Sequence, residues 1–409
     1  MKQMKLRMGS IRLVLRRFLL ALWSLLGPAP GWPGLKRWLL QVATLALLAG
    51  VGGSIFAVSG LASIKASSDH WPVTEWFLNF AMSRSVATHT LGVKAPALNA
   101  RGMVLKGATH YEIGCFPCHG NPALPHPRIA REMTPHPPYL PRTIHEWKPE
   151  ELFYIVKHGV KFTGMPAWPA QQRDDEVWAM VAFLQEFPKL NEQEYQRLVS
   201  GGEMMDRMDA PMHALWAAPE GMPRPVADNC ERCHGVDGQG KGAGVFPKLA
   251  GQSRAYLEAS LQAFARGERH SGIMEPIAAG LNEDEIREVA RFYSSLSLPE
   301  PTSKPATSDK SVSRGQAIAH EGVLNQRIPI CVECHGPGGN PRNPVYPTLA
   351  GQYADYLALQ LELFTNDVRG GSEYVHLMDP IAHRLTVQQV QDLARYYESL
   401  AAPVAPQTP

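Results

Sequence analysis

Cys115-Phe116-Pro117-Cys118-His119 recurs as Cys230-Glu231-Arg232-Cys233-His234 and again as Cys331-Val332-Glu333-Cys334-His335. Two thiols three positions apart on one helical turn, followed at once by an imidazole, form the attachment signature of a c-type haem. The thiols reach the two vinyl edges of one porphyrin, and the histidine supplies the proximal iron ligand. All 6 cysteines of the chain lie in these motifs, so none remains for a structural disulfide. A zinc ribbon would want its C-x-x-C pairs about 15–20 residues apart, whereas these lie about 100 residues apart. A thioredoxin-like dithiol would want a surrounding βαβ pattern, and none is visible. The expected cofactor is therefore three covalently bound haem c groups, one per motif.

A haem iron with one histidine keeps one axial position, and its occupant decides between electron transfer and ligand chemistry. Each motif is followed, 40–46 residues after its histidine, by a methionine: Met165 in Thr-Gly-Met-Pro-Ala-Trp, Met274 in Gly-Ile-Met-Glu-Pro and Met378 in Leu-Met-Asp-Pro. A single methionine is more often core filler than ligand; recurrence at one place in three segments points to ligation. All three sit in turn-like stretches beside proline, ahead of a helix. The expected axial pairs are His119 with Met165, His234 with Met274, and His335 with Met378. Met180, on a helix, keeps the filler reading. A ligating imidazole usually donates its other N–H to a carbonyl, and a Pro-x-Leu step recurs between each histidine and methionine, so Pro138, Pro247 and Pro347 are the expected acceptors; simple turn punctuation is the other reading of these prolines. His110, His126, His136, His145 and His158 crowd the first segment, most of them surface or loop histidines, with His158 the alternative sixth ligand there.

Working outward, each segment closes with an amphipathic helix, over residues 174–187, 282–296 and 386–400. Apolar residues recur at helical spacing in each, as in Val177, Met180, Val181 and Leu184. Asp174, Asn282 and Thr386 are the expected N-caps. Strand-like alternation is scarce, so the expected fold is all-α: three tandem modules after a membrane helix. The second and third modules repeat one another. Pro247-Lys-Leu-Ala-Gly-Gln252 returns as Pro347-Thr-Leu-Ala-Gly-Gln352, Tyr256-Leu257 as Tyr356-Leu357, and Met274-Glu-Pro-Ile-Ala278 as Met378-Asp-Pro-Ile-Ala382, at an offset near 100 residues. That pattern is duplication of one domain. A Pro- and Ser-rich linker begins at Ser297.

From Trp38 to Ile64 there is no charged residue, long enough to span a bilayer. Lys2, Lys5, Arg7, Arg12, Arg16, Arg17, Lys36 and Arg37 precede it with no acid, which places the N-terminus in the cytoplasm and the rest in the periplasm of a bacterial inner membrane. The apolar run is longer than a signal-peptide core of about 7–15 residues, so an uncleaved anchor is expected. The earlier run Phe18–Leu26 is too short to span. Trp71, Trp76 and Phe77 follow either as interfacial aromatics or as packing for the first module. The resulting division is residues 1–37 basic and cytoplasmic, 38–64 transmembrane, 65–98 linker, and modules at 99–200, 219–298 and 312–402. Net charge is +2, without the bias that nucleic acid would require.

On Cys-His-Gly, Pro-x-Leu-Ala-Gly-Gln, Met-x-Pro-Ile-Ala and the closing Ala-Arg-Phe/Tyr-Tyr, the modules resemble class I cytochrome c domains. The last two resemble the tandem dihaem cytochromes of the c-four type. The first, through Trp-Lys-Pro-Glu-Glu-Leu and Thr-Gly-Met-Pro-Ala-Trp, resembles membrane-anchored bacterial c-type cytochromes. The resemblance implies an all-α fold with first and last helices crossing beside the haem, and a pair of haems close enough for direct exchange. It implies a relay of single electrons and no catalytic residue. The expected donors and acceptors are a quinol–cytochrome c reductase, a dehydrogenase, a terminal oxidase or a soluble cytochrome. A trihaem subunit of an alcohol or sugar-acid dehydrogenase is the alternative, and a haem enzyme with an open iron the remoter one. Two departures stand out: Pro219, Pro223 and Pro225 occupy the place of a first helix in the second module, and a longer loop, Arg369–Leu377, precedes the third methionine.

Overall fold

The computed structural model describes residues 34–61, 63–201, 221–242, 244–297, 309–336, 343–371 and 373–401. The basic segment before residue 34, the run Phe18–Leu26, Pro219 and most of the linker after Ser297 lie outside them. The chain divides after residue 66 into two units.

The first unit contributes one helix, α1 (Gly34–Val58). At 1.5 Å per residue it is about 37 Å long, more than the roughly 30 Å of a hydrocarbon core. The apolar stretch read as 38–64 is thus helical only to Val58. Gly60, at φ +72°, takes the left-handed conformation that ends a helix.

The second unit, 67–409, is all-α, with no strand among the described residues. Its main helices are α2 (Pro72–His89), α3 (Arg101–Gly114), α4 (Pro149–His158), α5 (Asp174–Glu186), α6 (Glu192–Val199), α7 (Arg254–Ala265), α8 (Met274–Ala279), α9 (Glu283–Ser295), α10 (Lys310–Glu321), α11 (Ala354–Thr365), α12 (Val375–Ala382) and α13 (Val387–Ser399). Helix α2 buries Val86 and stacks His89 on Tyr154 at 5.3 Å, while Trp71, Trp76 and Phe77 near its start are exposed. Each of those three aromatics keeps more than half of its surface exposed, which weighs against the reading as packing for the first module.

In the first and third modules an opening helix crosses the closing helix at a glycine. A Cβ on Gly107 of α3 would meet Ala179 O at 2.2 Å, and one on Gly315 of α10 would meet Asp392 O at 2.0 Å. Backbone-to-backbone approach of this kind needs the missing side chain. Tyr111, Phe183, Phe187 and Tyr195 fill the first core around the crossing. In the second module, residues 221–230 form short turns, the last a π-helical one (Val226–Cys230), and Val226 with Met222 packs on the cluster around α9. Helix α3 also serves this module: its Leu105 clusters with Cys233 and Phe246.

Two local readings need correction. Asn282 and Thr386 cap α9 and α13 with reciprocal bonds to Glu285 and Gln389. Asp174 does not cap α5: Arg173 holds the cap position, and the Asp174 carboxylate goes to Lys157 Nζ instead. The loop read as Arg369–Leu377 ends at Tyr374, where α12 begins and carries Met378 in its interior.

Candidate haem sites and the cavity that joins two of them

Each motif closes a single helical turn, Phe116–His119, Glu231–His234 and Val332–His335. A glycine at positive φ ends each turn: Gly120 at +72°, Gly235 at +76° and Gly336 at +68°. At Gly120 a side chain would strike Pro125 O at 2.4 Å. The turns fix the imidazoles. His119 Nδ1 is 2.9 Å from Pro138 O, His234 Nδ1 3.0 Å from Pro247 O, and His335 Nδ1 3.0 Å from Pro347 O. A carbonyl only accepts, so Nδ1–H donates and Nε2 keeps its lone pair for a metal. Burial lowers all three imidazoles below the ordinary range, against the opposing pull of the carbonyls, and so keeps them neutral. Burial likewise pushes the Cys115 and Cys230 thiols up to about 12 and those of Cys233 and Cys331 to about 11. Among the described residues no three His, Cys, Asp or Glu side chains gather as a metal cluster.

The three methionines differ in setting. Met165 lies in a loop, where its N–H donates to Thr163 Oγ1 at 3.0 Å. Met274 is the first residue of α8, and Met378 lies inside α12. The turn reading therefore holds for one of three. Pro276 is tolerated because the first turn of a helix has no N–H partners to lose, and Pro380 forfeits only the bond its N–H would make to His376 O. Met180 is 1% exposed in the first core, among Tyr111, Val177 and Phe183.

One cavity of about 1730 Å³ is lined by Cys230, Cys233, His234 and Met274 and also by Cys331, Cys334, His335 and Met378. A drug-sized ligand needs about 300–1,000 Å³, so this is space for two large groups in one continuous apolar chamber. His119 and Met165 are not part of its lining. Arg269 and Arg369 are two of the arginines in the chamber wall. Arg269, 7% exposed, donates to Ser260 Oγ at 3.1 Å and to Tyr356 Oη at 3.0 Å. Arg369 donates to Gly370 O at 2.6 Å, and its buried Nε has no partner. Burial, with Arg269 nearby, lowers Arg369 to about 10. Buried cations need anions, and among the described residues neither arginine has an acidic partner. The carboxylates of a haem are such anions, so the residues present fit two haems.

Residues 224–297 and 312–401 match the model of the family Cytochrome c, and residues 102–184 match that of Cytochrome C oxidase, cbb3-type, subunit III. Cytochrome c-552 of Acidithiobacillus ferridurans is 35% identical over 191 residues, 46% of this chain and 80% of that protein. The chain belongs to the multihaem class I c-type cytochromes. A Thiosulfate dehydrogenase electron acceptor of Stutzerimonas stutzeri is 35% identical to this cytochrome, over 44% of the chain and 83% of that protein. A solved Acidithiobacillus ferrooxidans cytochrome c4 is 35% identical, covers 43% of the chain and 100% of its own, and superposes with a TM-score of 0.38.

The c4-like pair of the cytochrome is sewn together by its own repeat. Gln252 Nε2 donates to Thr348 O at 2.8 Å and Gln252 Oε1 accepts from Thr348 N at 3.0 Å. Gln352 does the same with Lys248, at 2.9 and 3.0 Å. Sequence reading quoted both glutamines as repeat markers and missed this exchange. It also passed over Arg269 and Arg369, whose offset of 100 residues was a legible signal. Among the first module's histidines, His158 is exposed, with its ring on Tyr154 at 4.6 Å. His110 is no surface residue: its Nδ1 is buried without a partner and its ring meets Trp168 edge-on at 4.8 Å.

Proposed function

We propose that this cytochrome is a membrane-anchored trihaem electron relay on the periplasmic face of a bacterial inner membrane. Bound haem iron supplies the one-electron chemistry. The residues that would hold the three haems are His119 with Met165, His234 with Met274, and His335 with Met378, and Pro138, Pro247 and Pro347 would orient the imidazoles. The observation that carries this reading is the threefold imidazole–carbonyl geometry within one compact unit, with two complete ligand sets facing a single chamber. The apolar helix α1 supports the anchor, and the exposed Trp71, Trp76 and Phe77 suit a headgroup layer. The donor is a respiratory complex or dehydrogenase and the acceptor a terminal oxidase or soluble cytochrome. The thiosulfate dehydrogenase electron acceptors among the relatives favour an enzyme oxidising sulfur compounds as donor.

A pyridine haemochrome assay after acid-acetone extraction tests the core of this. About three c-type haems per polypeptide are expected, with no carbon monoxide binding by the reduced protein. Two haems or fewer in mature protein, or an iron open to carbon monoxide, refutes the relay as stated. Release from membranes by a carbonate wash refutes the anchor alone.

A further inference from the structure

The start of α5, in the first module, reaches into the segment that precedes Met274. Glu176, 3% exposed, accepts from Ser271 Oγ and from Gly272 N, each at 2.7 Å, across the module boundary. From its own module Arg173 Nη2 forms an ion pair with it at 2.9 Å and Trp168 Nε1 donates to it at 3.4 Å. Arg173 Nη1 donates to His270 O at 2.6 Å. Three consecutive residues, 270–272, are thus held by the first module. Ser271 Oγ passes the restraint on, accepting from Met274 N at 3.1 Å.

On the other side, Trp168 belongs to the Met165-Pro-Ala-Trp stretch. Its indole lies so close to Gly272 that a Cβ there would meet Nε1 at 2.0 Å. The two methionine segments therefore touch through one indole, one glycine and one carboxylate. Aligning Met378 on Met274 puts Tyr374, Val375 and His376 where His270, Ser271 and Gly272 stand. Val375 has no hydroxyl to hold a methionine N–H. The brace is absent from the repeat's own plan and exists where the first module docks.

We propose that Glu176 is a positioning residue for Met274, and that the Trp168–Gly272 contact sets the first and second haem sites in register, giving a spatial order of first, second and third haem. This rests on Met274 being an axial ligand. All four groups around Glu176 are donors, and an ionised carboxylate offers acceptor sites only. Glutamine would turn an NH₂ toward two of those donors, so the isosteric change breaks the brace while keeping its volume.

The test uses the full-length holoprotein. Glu176→Gln and Ser271→Ala should each remove or shift about a third of the far-red Fe–S band and lower the potential of one haem of the three. In a Met274→Ala background, Glu176→Gln should add no further change to the band. Asp392→Asn is the control: this buried acid of α13 binds Ser311 and Arg314 and touches no methionine segment. It should lower the unfolding midpoint and leave the band and all potentials intact. The inference is overturned if Glu176→Gln behaves like Asp392→Asn, or if its spectral effect persists without Met274. If Met274→Ala alone leaves the band whole, the ligand assignment itself fails and takes the inference with it.

Discussion

Helix α3 carries two glycines whose replacement by alanine should have opposite signs. In a helix interior alanine is favoured over glycine by about 1 kcal/mol; Gly107 has that gain in full, and Gly102, in the first turn of α3, only part of it. At Gly102 the new methyl would sit 3.2 Å from Val245 Cγ2, a side-chain atom able to move by a few tenths of an ångström. At Gly107 it would sit 2.2 Å from Ala179 O and 2.7 Å from Phe183 Cβ. Neither can yield without moving α5, so the crossing must open by about 1 Å, loosening Tyr111 and Phe183, both buried. Overpacking of this kind costs about 1–3 kcal/mol, and a backbone obstacle belongs at or above the upper end. After the propensity gain, Gly107→Ala should destabilise by about 2 kcal/mol, and Gly102→Ala should be neutral or slightly stabilising. For the first module, of about 100 residues, 2 kcal/mol lowers the melting temperature by about 8–16 °C if it melts on its own. Thermal unfolding followed by far-UV circular dichroism, with loss of the Fe–S band as second probe, reads both variants. The reasoning is refuted if Gly107→Ala melts with the wild type, or if Gly102→Ala is equally damaging.

Burial lowers His110 to about 4. Its folded pKa lies below the unfolded value of about 6.5, so its neutral form favours the folded state: the contribution is complete above about pH 6.5 and lost as pH falls toward 4, amounting to about 2 kcal/mol by pH 5. His110→Phe should flatten that part of the pH dependence of the denaturant midpoint; an unchanged slope between pH 7 and 5 would count against it. Arg369→Met, by removing a buried cation beside the paired haem sites, should lower at least one potential by tens of millivolts, 59 mV being about one tenfold change in a one-electron equilibrium. Unaltered potentials in a spectroelectrochemical titration would show that no haem carboxylate leans on it.

The fold class and the closing helices were legible because they are written in local code. The amphipathic period and the Asn282 and Thr386 capping boxes need nothing from elsewhere in the chain. The Asp174 cap failed for a tertiary reason, since Lys157 competes for the same carboxylate. The imidazole acceptors Pro138, Pro247 and Pro347 could be picked out because one chemistry recurs three times. Arg269 and Arg369 left a trace in their offset of 100 residues, whereas Glu176 could not be read as part of a site, because it acts across a module boundary and periodicity within one segment carries no trace of its neighbour. The helices under Met274 and Met378 were hidden by their prolines, which read as turns until the first-turn position of Pro276 and the single forfeited bond of Pro380 are seen.

The reciprocal glutamine exchange makes the second and third modules an isologous pair on one chain, the arrangement of a twofold homodimer whose subunits have been fused. In a true homodimer every substitution appears on both sides of the axis. Fusion lifts that restriction, and the break in symmetry is already visible: Lys248 reaches Gly351 O at 2.6 Å and lies over the Tyr353 ring, whereas Thr348 at the matching position can do neither. Two sites that began identical are thereby free to acquire different affinities for an electron while their separation stays fixed. A gradient can be tuned along the pair one residue at a time, which no symmetric dimer allows.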